Sequence, residues 1–224
     1  MEIIKQNLLN IQSQLPENVT LVAVSKTKPV ANLMEAYNAG QRVFGENYVQ
    51  ELVEKYEVLP KDIQWHFIGH LQSRKVKLIA PFVNLIHGVD SLKLLHEINK
   101  EAIKNNRVID CLLQIFIAEE ESKFGLDEKE LTEILSSEEF KKLKNIRIIG
   151  LMGMATFTDN QDQIKKEFQN LKTIFDKVSE LKTENCQLNT ISMGMSGDYQ
   201  LAIECGSTMV RIGSSIFGNR NYNN

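Results

Sequence analysis

The sequence predicts an α/β fold, a closed (β/α)8 barrel, on three observations. Short apolar runs of β-formers alternate with helical periods along the whole chain. Most of these runs are continuously apolar, as parallel strands covered on both faces are. The strand count reaches eight, the number that closes a parallel sheet on itself. With 12 glycines and 4 prolines spread over 224 residues, no Gly/Ser-rich or Pro-rich linker interrupts the alternation, so one domain over residues 1–224 is expected. An open doubly wound sheet is the competing architecture. It calls for a glycine-rich turn after the first strand, where Lys26-Thr27-Lys28-Pro29 stands.

Each element has its own local reason. A helix over residues 2–14 carries Ile3, Ile4, Leu8 and Ile11 at helical spacing and ends before Pro16. The first strand, 21–26, is Leu-Val-Ala-Val-Ser-Lys; Pro29 can then open a helix through Leu33, Met34 and Tyr37 that Gly40 terminates. A strand at 43–46 precedes a helix at 48–58 with Val49, Leu52, Val53 and Tyr56 on one side. The third unit is a strand at 65–69 and a helix at 73–80 stopped by Pro81. The fourth pairs a strand at 85–89 with a helix marked by Leu92, Leu95, Ile98, Ala102 and Ile103. Strand 111–117 and helix 126–135 follow, then strand 146–152 and the clearest stripe in the chain: Ile164, Phe168, Leu171, Ile174, Phe175, Val178 and Leu181. Strand 188–193, helix 197–204 and strand 209–212 complete the set, with a short tail.

Composition narrows the function classes. A hydrophobic fraction of 42% and a charged fraction of 25% are ordinary for a globular protein. A formal net charge of -3 gives no electrostatic footprint for nucleic acid or an anionic membrane. The N-terminal residues lack the pattern of a signal peptide and no apolar run reaches spanning length, so a cytoplasmic protein is expected. Cys111, Cys186 and Cys205 are odd in number and far apart, which suggests buried free thiols rather than disulfides or a zinc site. Without an obvious exposed apolar patch, a monomer is expected.

The chemistry converges on the strand ends, where barrels of this type place their active sites. Lys26 shares a strand face with Val24 and Val22, and such a lysine either turns to solvent or is desolvated into a nucleophile that captures carbonyls as Schiff bases. After the seventh strand, Ser196 is placed to cap a helix in Ser192-Met193-Gly194-Met195-Ser196-Gly197-Asp198-Tyr199. After the eighth, Arg211-Ile212-Gly213-Ser214-Ser215 offers a close backbone approach and two hydroxyls. Both ends suit a phosphate. Arg211 shares a face with Gly213 beside the Lys26 strand; as a surface residue it would be an ion-pair partner, and in the mouth it would donate to a ligand and keep a ring nitrogen unprotonated. His66 and His70 are spaced like metal ligands but lack a carboxylate motif, which favours hydrogen-bonding roles. The basic run Arg74-Lys75-Lys77 reads as a solvated helix face.

The chain resembles the pyridoxal phosphate homeostasis proteins, single-domain relatives of the alanine racemase barrel. The resemblance is carried by Ala23-Val24-Ser25-Lys26-Thr27-Lys28, Phe44-Gly45-Glu46-Asn47-Tyr48-Val49-Gln50-Glu51, Trp65-His66-Phe67-Ile68-Gly69-His70-Leu71-Gln72, Gly150-Leu151-Met152, Ser192-Met193-Gly194-Met195-Ser196 and Val210-Arg211-Ile212-Gly213. It implies that Lys26 carries pyridoxal 5'-phosphate (PLP) as a Schiff base, that Arg211 meets the pyridine nitrogen, and that Ser196, Gly213 and Ser214 hold the phosphate. It further implies that Asn47, His70, Met154 and Met195 line the site. The chain departs from the family pattern at Arg74, where Asn is usual.

The same resemblance implies a carrier or regulator of vitamin B6 pools that releases PLP to apo-enzymes or buffers it, not an enzyme. Two features of the sequence agree with it. A ring nitrogen facing Arg211 weakens the ring as an electron sink, and the chain ends soon after its eighth strand, without a second domain to supply an opposing acid or base. A PLP-dependent amino-acid racemase or related enzyme, a cofactor-free Schiff-base aldolase on a sugar phosphate, and a purely structural or partner-binding barrel are the rival readings.

Overall fold

A computed structural model describes residues 3–119, 124–181 and 183–219. Its eight strands are β1 (Thr20–Val24), β2 (Val43–Glu46), β3 (Gln64–Phe67), β4 (Leu85–Val89), β5 (Ile109–Gln114), β6 (Ile146–Met152), β7 (Cys186–Ser192) and β8 (Met209–Ile212). They pair in parallel and in sequence order, and β8 closes on β1 with Val22 opposite Arg211. The helices outside are α1 (Ile3–Gln12), α2 (Val30–Asn38), α3 (Val49–Val58), α4 (Val76–Ile79), α5 (Leu92–Lys104), α6 (Glu128–Ser136), α7 (Glu138–Lys141), α8 (Gln161–Val178), α9 (Tyr199–Glu204) and α10 (Ser214–Phe217). The predicted barrel is the observed one.

Strand alternation sorts the side chains into two cores. Outward-facing Ala23, Phe44, Trp65 and Phe67 join the helix faces, including Leu52 of α3 and Phe168 and Leu171 of α8, in one continuous apolar layer. Inward-facing Val22, Leu85, Leu112, Met152 and Met209 fill the barrel. Each large side chain so buried contributes roughly 1.5–3 kcal/mol over its exposed state. The inner plug is short, and above it the inward positions turn polar: His66, His87, Ser192 and Arg211 are all buried. That change of character along the barrel axis creates the site.

Several local expectations are corrected. The strand ladder ends at Val24, so Lys26 sits in the turn beyond β1, because Thr27 reverses the chain with φ 62°. The helix expected at 73–80 is a 3₁₀ turn (Ser73–Lys75) followed by α4. The stripe on α8 ends at Val178, leaving Leu181 beyond the helix and 42% exposed, and Ile103 on α5 faces out. Helix α7 has no counterpart among the expected elements; the Ser137 hydroxyl accepts the Phe140 N–H and starts it directly after α6. Nor has α10, which follows β8 at once. Ser196 does not cap α9, whose N-cap position is Asp198; its hydroxyl serves the neighbouring loop instead. As expected, the three cysteines are free and buried, and burial pushes the Cys111 and Cys186 thiols up. Among the described residues no helix is long and apolar enough to cross a membrane, and no His/Cys/Asp/Glu cluster could hold a metal.

Candidate functional site

A cavity of about 810 Å³ opens at the C-terminal ends of the strands. Lys26, Asn47, Met154, Met195, Ser196, Arg211, Gly213 and Ser214 all line it, eight of the nine residues singled out from the sequence. His70 does not join them. It lies on the surface, with Nδ1 3.6 Å from the Asp90 carboxylate and its ring stacked on Phe124. Arg74 is exposed, its Nε donating to Gln72.

Lys26 reaches the cavity by the alternation that β1 begins. Val22 points into the barrel core, Val24 lines the cavity floor, and Lys26 follows on the same side, half-buried. Asn47, just past β2, also lines the cavity, and its Oδ1 is buried without a hydrogen-bond partner among the described residues. Gly69 makes that placement feasible, since a Cβ there would collide with the Asn47 carbonyl. A buried amide oxygen of this kind is costly unless a ligand or water satisfies it.

Arg211 stands at the bottom of the cavity, only 4% exposed. Its Nη1 donates to the Ser192 carbonyl at 2.8 Å and to Ser192 Oγ at 2.6 Å, and its Nη2 donates to the Gly153 carbonyl at 3.1 Å. These bonds employ part of the five-donor fork and leave the remainder for a ligand. Desolvation lowers the Arg211 pKa to about 10, opposed by the Asp198 carboxylate, so the guanidinium stays charged at neutral pH.

Behind Arg211 runs a buried chain that the sequence did not reveal. Ser192 Oγ lies 3.1 Å from His87 Nδ1, and His87 Nε2 lies 3.1 Å from His66 Nδ1. Arg211 can only donate, so Ser192 accepts from it and passes its own proton towards His87, which then donates from Nε2 to His66. Burial pulls the His66 pKa down to about 3; His87 is pulled well below its ordinary value by burial, His66 and Arg211, so both rings are neutral. His66 thus has the hydrogen-bonding role expected of it.

The loops after β7 and β8 are stitched to each other. Gly194 takes φ 97°, a conformation that favours glycine, and a Cβ there would also meet the Ala202 Cβ at 2.6 Å. Its carbonyl accepts the Arg211 N–H at 3.0 Å. Asp198 Oδ1 accepts the Met195 N–H at 2.6 Å. Ser196 Oγ accepts the backbone N–H groups of Gly213 at 3.2 Å and Ser215 at 3.5 Å. Hydroxyls and backbone donors gathered around a glycine are the groups from which anion cradles are built.

The sequence profile described as alanine racemase, N-terminal domain, matches residues 1–221. A pyridoxal phosphate homeostasis protein of Vibrio alginolyticus is 41% identical, the match covering 99% of this chain and 100% of the relative. The chain belongs to the pyridoxal phosphate homeostasis protein family. Another member, from Aquifex aeolicus, is 43% identical over 90% of this chain and 87% of its own length. Among solved structures, PipY of Synechococcus elongatus, with PLP bound, superposes with a TM-score of 0.86 at 35% identity, covering 96% of this chain and 100% of that one.

The sequence had not singled out His87 or Ser192. The available signal was a polar side chain set in an otherwise apolar strand, as in Leu85-Ile86-His87.

Proposed function

We propose that this protein binds pyridoxal 5'-phosphate covalently at Lys26 and serves vitamin B6 homeostasis in the cytoplasm, as a carrier and buffer rather than as an enzyme. The observation that carries the reading is one cavity lined by an amine, a buried guanidinium and a Ser/Gly cradle: Lys26, Arg211, and Ser196 with Gly213 and Ser214. These residues fit the three handles of the cofactor, its aldehyde, its pyridine nitrogen and its phosphate. The unpartnered Asn47 Oδ1 supplies an acceptor on the same wall. The names of the relatives, and the PLP-bound PipY neighbour, support the same ligand.

Lys26 would hold the cofactor through a reversible C=N bond between its Nζ and the aldehyde carbon, one water being released on capture and consumed on release. Arg211, which stays charged although burial lowers its pKa, is held by two carbonyls and Ser192 and presents donors and no acceptor, which keeps a pyridine nitrogen unprotonated. That arrangement disfavours carbanion chemistry and with it the racemase reading. Ser196, Ser214 and the Gly213 backbone bind the phosphate. Met154 and Met195 furnish apolar walls. The barrel acts as a single domain over residues 1–224 and as a monomer, and free buried thiols suit a reducing compartment. Release to PLP-dependent apo-enzymes follows from the reversibility of the C=N bond.

The test is transfer. Protein loaded with PLP and freed of excess ligand should restore activity to an added apo-enzyme while its own visible absorption falls in step. A colourless protein that takes up no PLP would overturn the reading, and sustained amino-acid racemisation by the loaded protein would replace the carrier with an enzyme.

A further inference from the structure

The segment that carries Lys26 is held in an unusual way. Thr27, β-branched, adopts φ 62°, a left-handed backbone conformation that such residues rarely accept and that surrounding interactions must impose. β1 points Lys26 towards the cavity, but the turn that follows it is not held there by its own preference.

What imposes it is a buried ionic cluster supplied by β2 and α3. Glu46 at the end of β2 is fully buried, facing away from the barrel interior, and its Oε1 accepts from the Ser25 hydroxyl at 2.6 Å and from Lys55 Nζ at 2.7 Å. Lys55, on α3, is itself only 5% exposed. Its ammonium also donates to the Ser25 carbonyl at 2.8 Å and to Glu51 Oε1 at 2.6 Å. Glu51 Oε1 in turn accepts the Thr27 N–H at 2.6 Å. The two peptide planes that flank the Lys26 Cα are thus each gripped, one through its carbonyl by Lys55 and the other through its N–H by Glu51. Lys55 ties the two grips together. None of these side chains lines the cavity.

We propose that Glu46, Lys55 and Glu51 form a clamp that positions Lys26, fixing its backbone so that the amine enters the cavity and captures the aldehyde of PLP. The clamp touches neither the ring nor the phosphate, so its members are positioning residues. A purely structural role would use the same burial to hold α3 on the barrel; it would not require the bonds to converge on the peptide groups of one cavity residue. This inference rests on the assignment of the Schiff base to Lys26.

The distinguishing experiment compares two ligands on the full-length protein: PLP itself, and 4'-deoxypyridoxine 5'-phosphate, which has the ring and phosphate but no aldehyde. Lys55→Met removes the grip on the Ser25 carbonyl, and Glu51→Ala removes the grip on the Thr27 N–H. Each should weaken PLP binding and slow C=N formation by about tenfold to a hundredfold, the scale set by misplacing a reacting group, while affinity for the deoxy analogue stays within about twofold. Equal losses for both ligands would make the cluster a support for the whole site and overturn the proposal, as would no loss for either. If Lys55→Met does not fold, Glu51→Ala, at a partly exposed helix position, decides by the same comparison. Lys26→Ala separates the two levels. Persistence of a borohydride-reducible adduct in that variant would refute the Lys26 assignment itself, whereas its loss alongside unaffected clamp variants would refute only the clamp.

Discussion

Two buried polar networks flank the cavity, and they differ in nearly every physical respect. Inside the barrel, His66, His87, Ser192 and Arg211 form a chain of uncharged partners behind one permanent cation. Between the barrel and α3, Glu46, Lys55 and Glu51 form a cluster of opposed charges in which one oxygen of each carboxylate is shared by two donors. The first ends on a side chain that faces the cavity; the second ends on the backbone that carries one. A fixed charge beside a ligand can be surrounded by neutral dipoles, because it has only to present donors without changing state. A strained backbone segment needs stronger, charge-assisted bonds to hold it. The difference teaches that buried polarity in this barrel is divided by role, with one network fixing the electrostatics of the site and the other its geometry.

The largest expected effect comes from breaking the ionic network on one side. Lys55→Met leaves Glu46 buried without its counter-ion and should cost about 3–5 kcal/mol of stability at pH 8, measured by denaturant unfolding. The loss should shrink towards pH 6, as Glu46 takes up a proton. A loss below about 1 kcal/mol at both pH values would mean that the pair is no better than a surface ion pair, and the contrast between the networks would collapse.

Next in size, the two networks should titrate in opposite directions. Burial, with one oxygen left without a partner among the described residues, outweighs the attraction of Lys55 and raises Glu46 from 4.5 to about 7. Its folded form therefore binds a proton more readily than its unfolded form. The stability it contributes is fully present below about pH 4.5 and is lost as the pH rises through about 7. His66 is depressed from 6.5 to about 3, so its contribution is fully present above pH 6.5 and is lost as the pH falls towards 3. Glu46→Gln should flatten the neutral side of the stability profile and His66→Gln the acid side, each by up to about 1.4 kcal/mol per pH unit. Unfolding midpoints across a pH series measure both. Slopes that change together in either variant would show one coupled network instead of two.

The smallest expected effect lies outside both networks. Ser196→Ala removes the hydroxyl that accepts from Gly213 and Ser215, and should cost about 1 kcal/mol of stability. PLP affinity should fall by less than about tenfold, because the backbone donors of the loop remain. Thermal unfolding and a binding titration check it. A larger loss than that of Lys55→Met would place the rigidity of the site in its loops.

The sequence made the fold legible because burial on both faces writes itself as apolar runs, and strands β2, β4, β6 and β8 fall where those runs lie. The cavity was legible where a residue's position relative to a strand end determines its direction, as for Lys26, Arg211 and Gly213. His70 shows the limit of that logic. It follows β3 by three residues, far enough for the chain to carry it out to Asp90 and Phe124. Ser196 shows another: a serine before a helix suggests a cap, but its partners lie in a loop brought alongside only by barrel closure. The clamp was illegible because its members acquire meaning only through contacts between β1, β2 and α3, and an i,i+4 pair such as Glu51 and Lys55 looks like any solvated helix face.

The central claim, that this chain holds PLP on Lys26, is tested most directly by reducing the loaded protein with borohydride and locating the adduct by peptide mass spectrometry. The account predicts a single pyridoxyl adduct on Lys26, absent from Lys26→Ala. An adduct on another lysine, or a loaded protein that borohydride leaves unmodified, would contradict it.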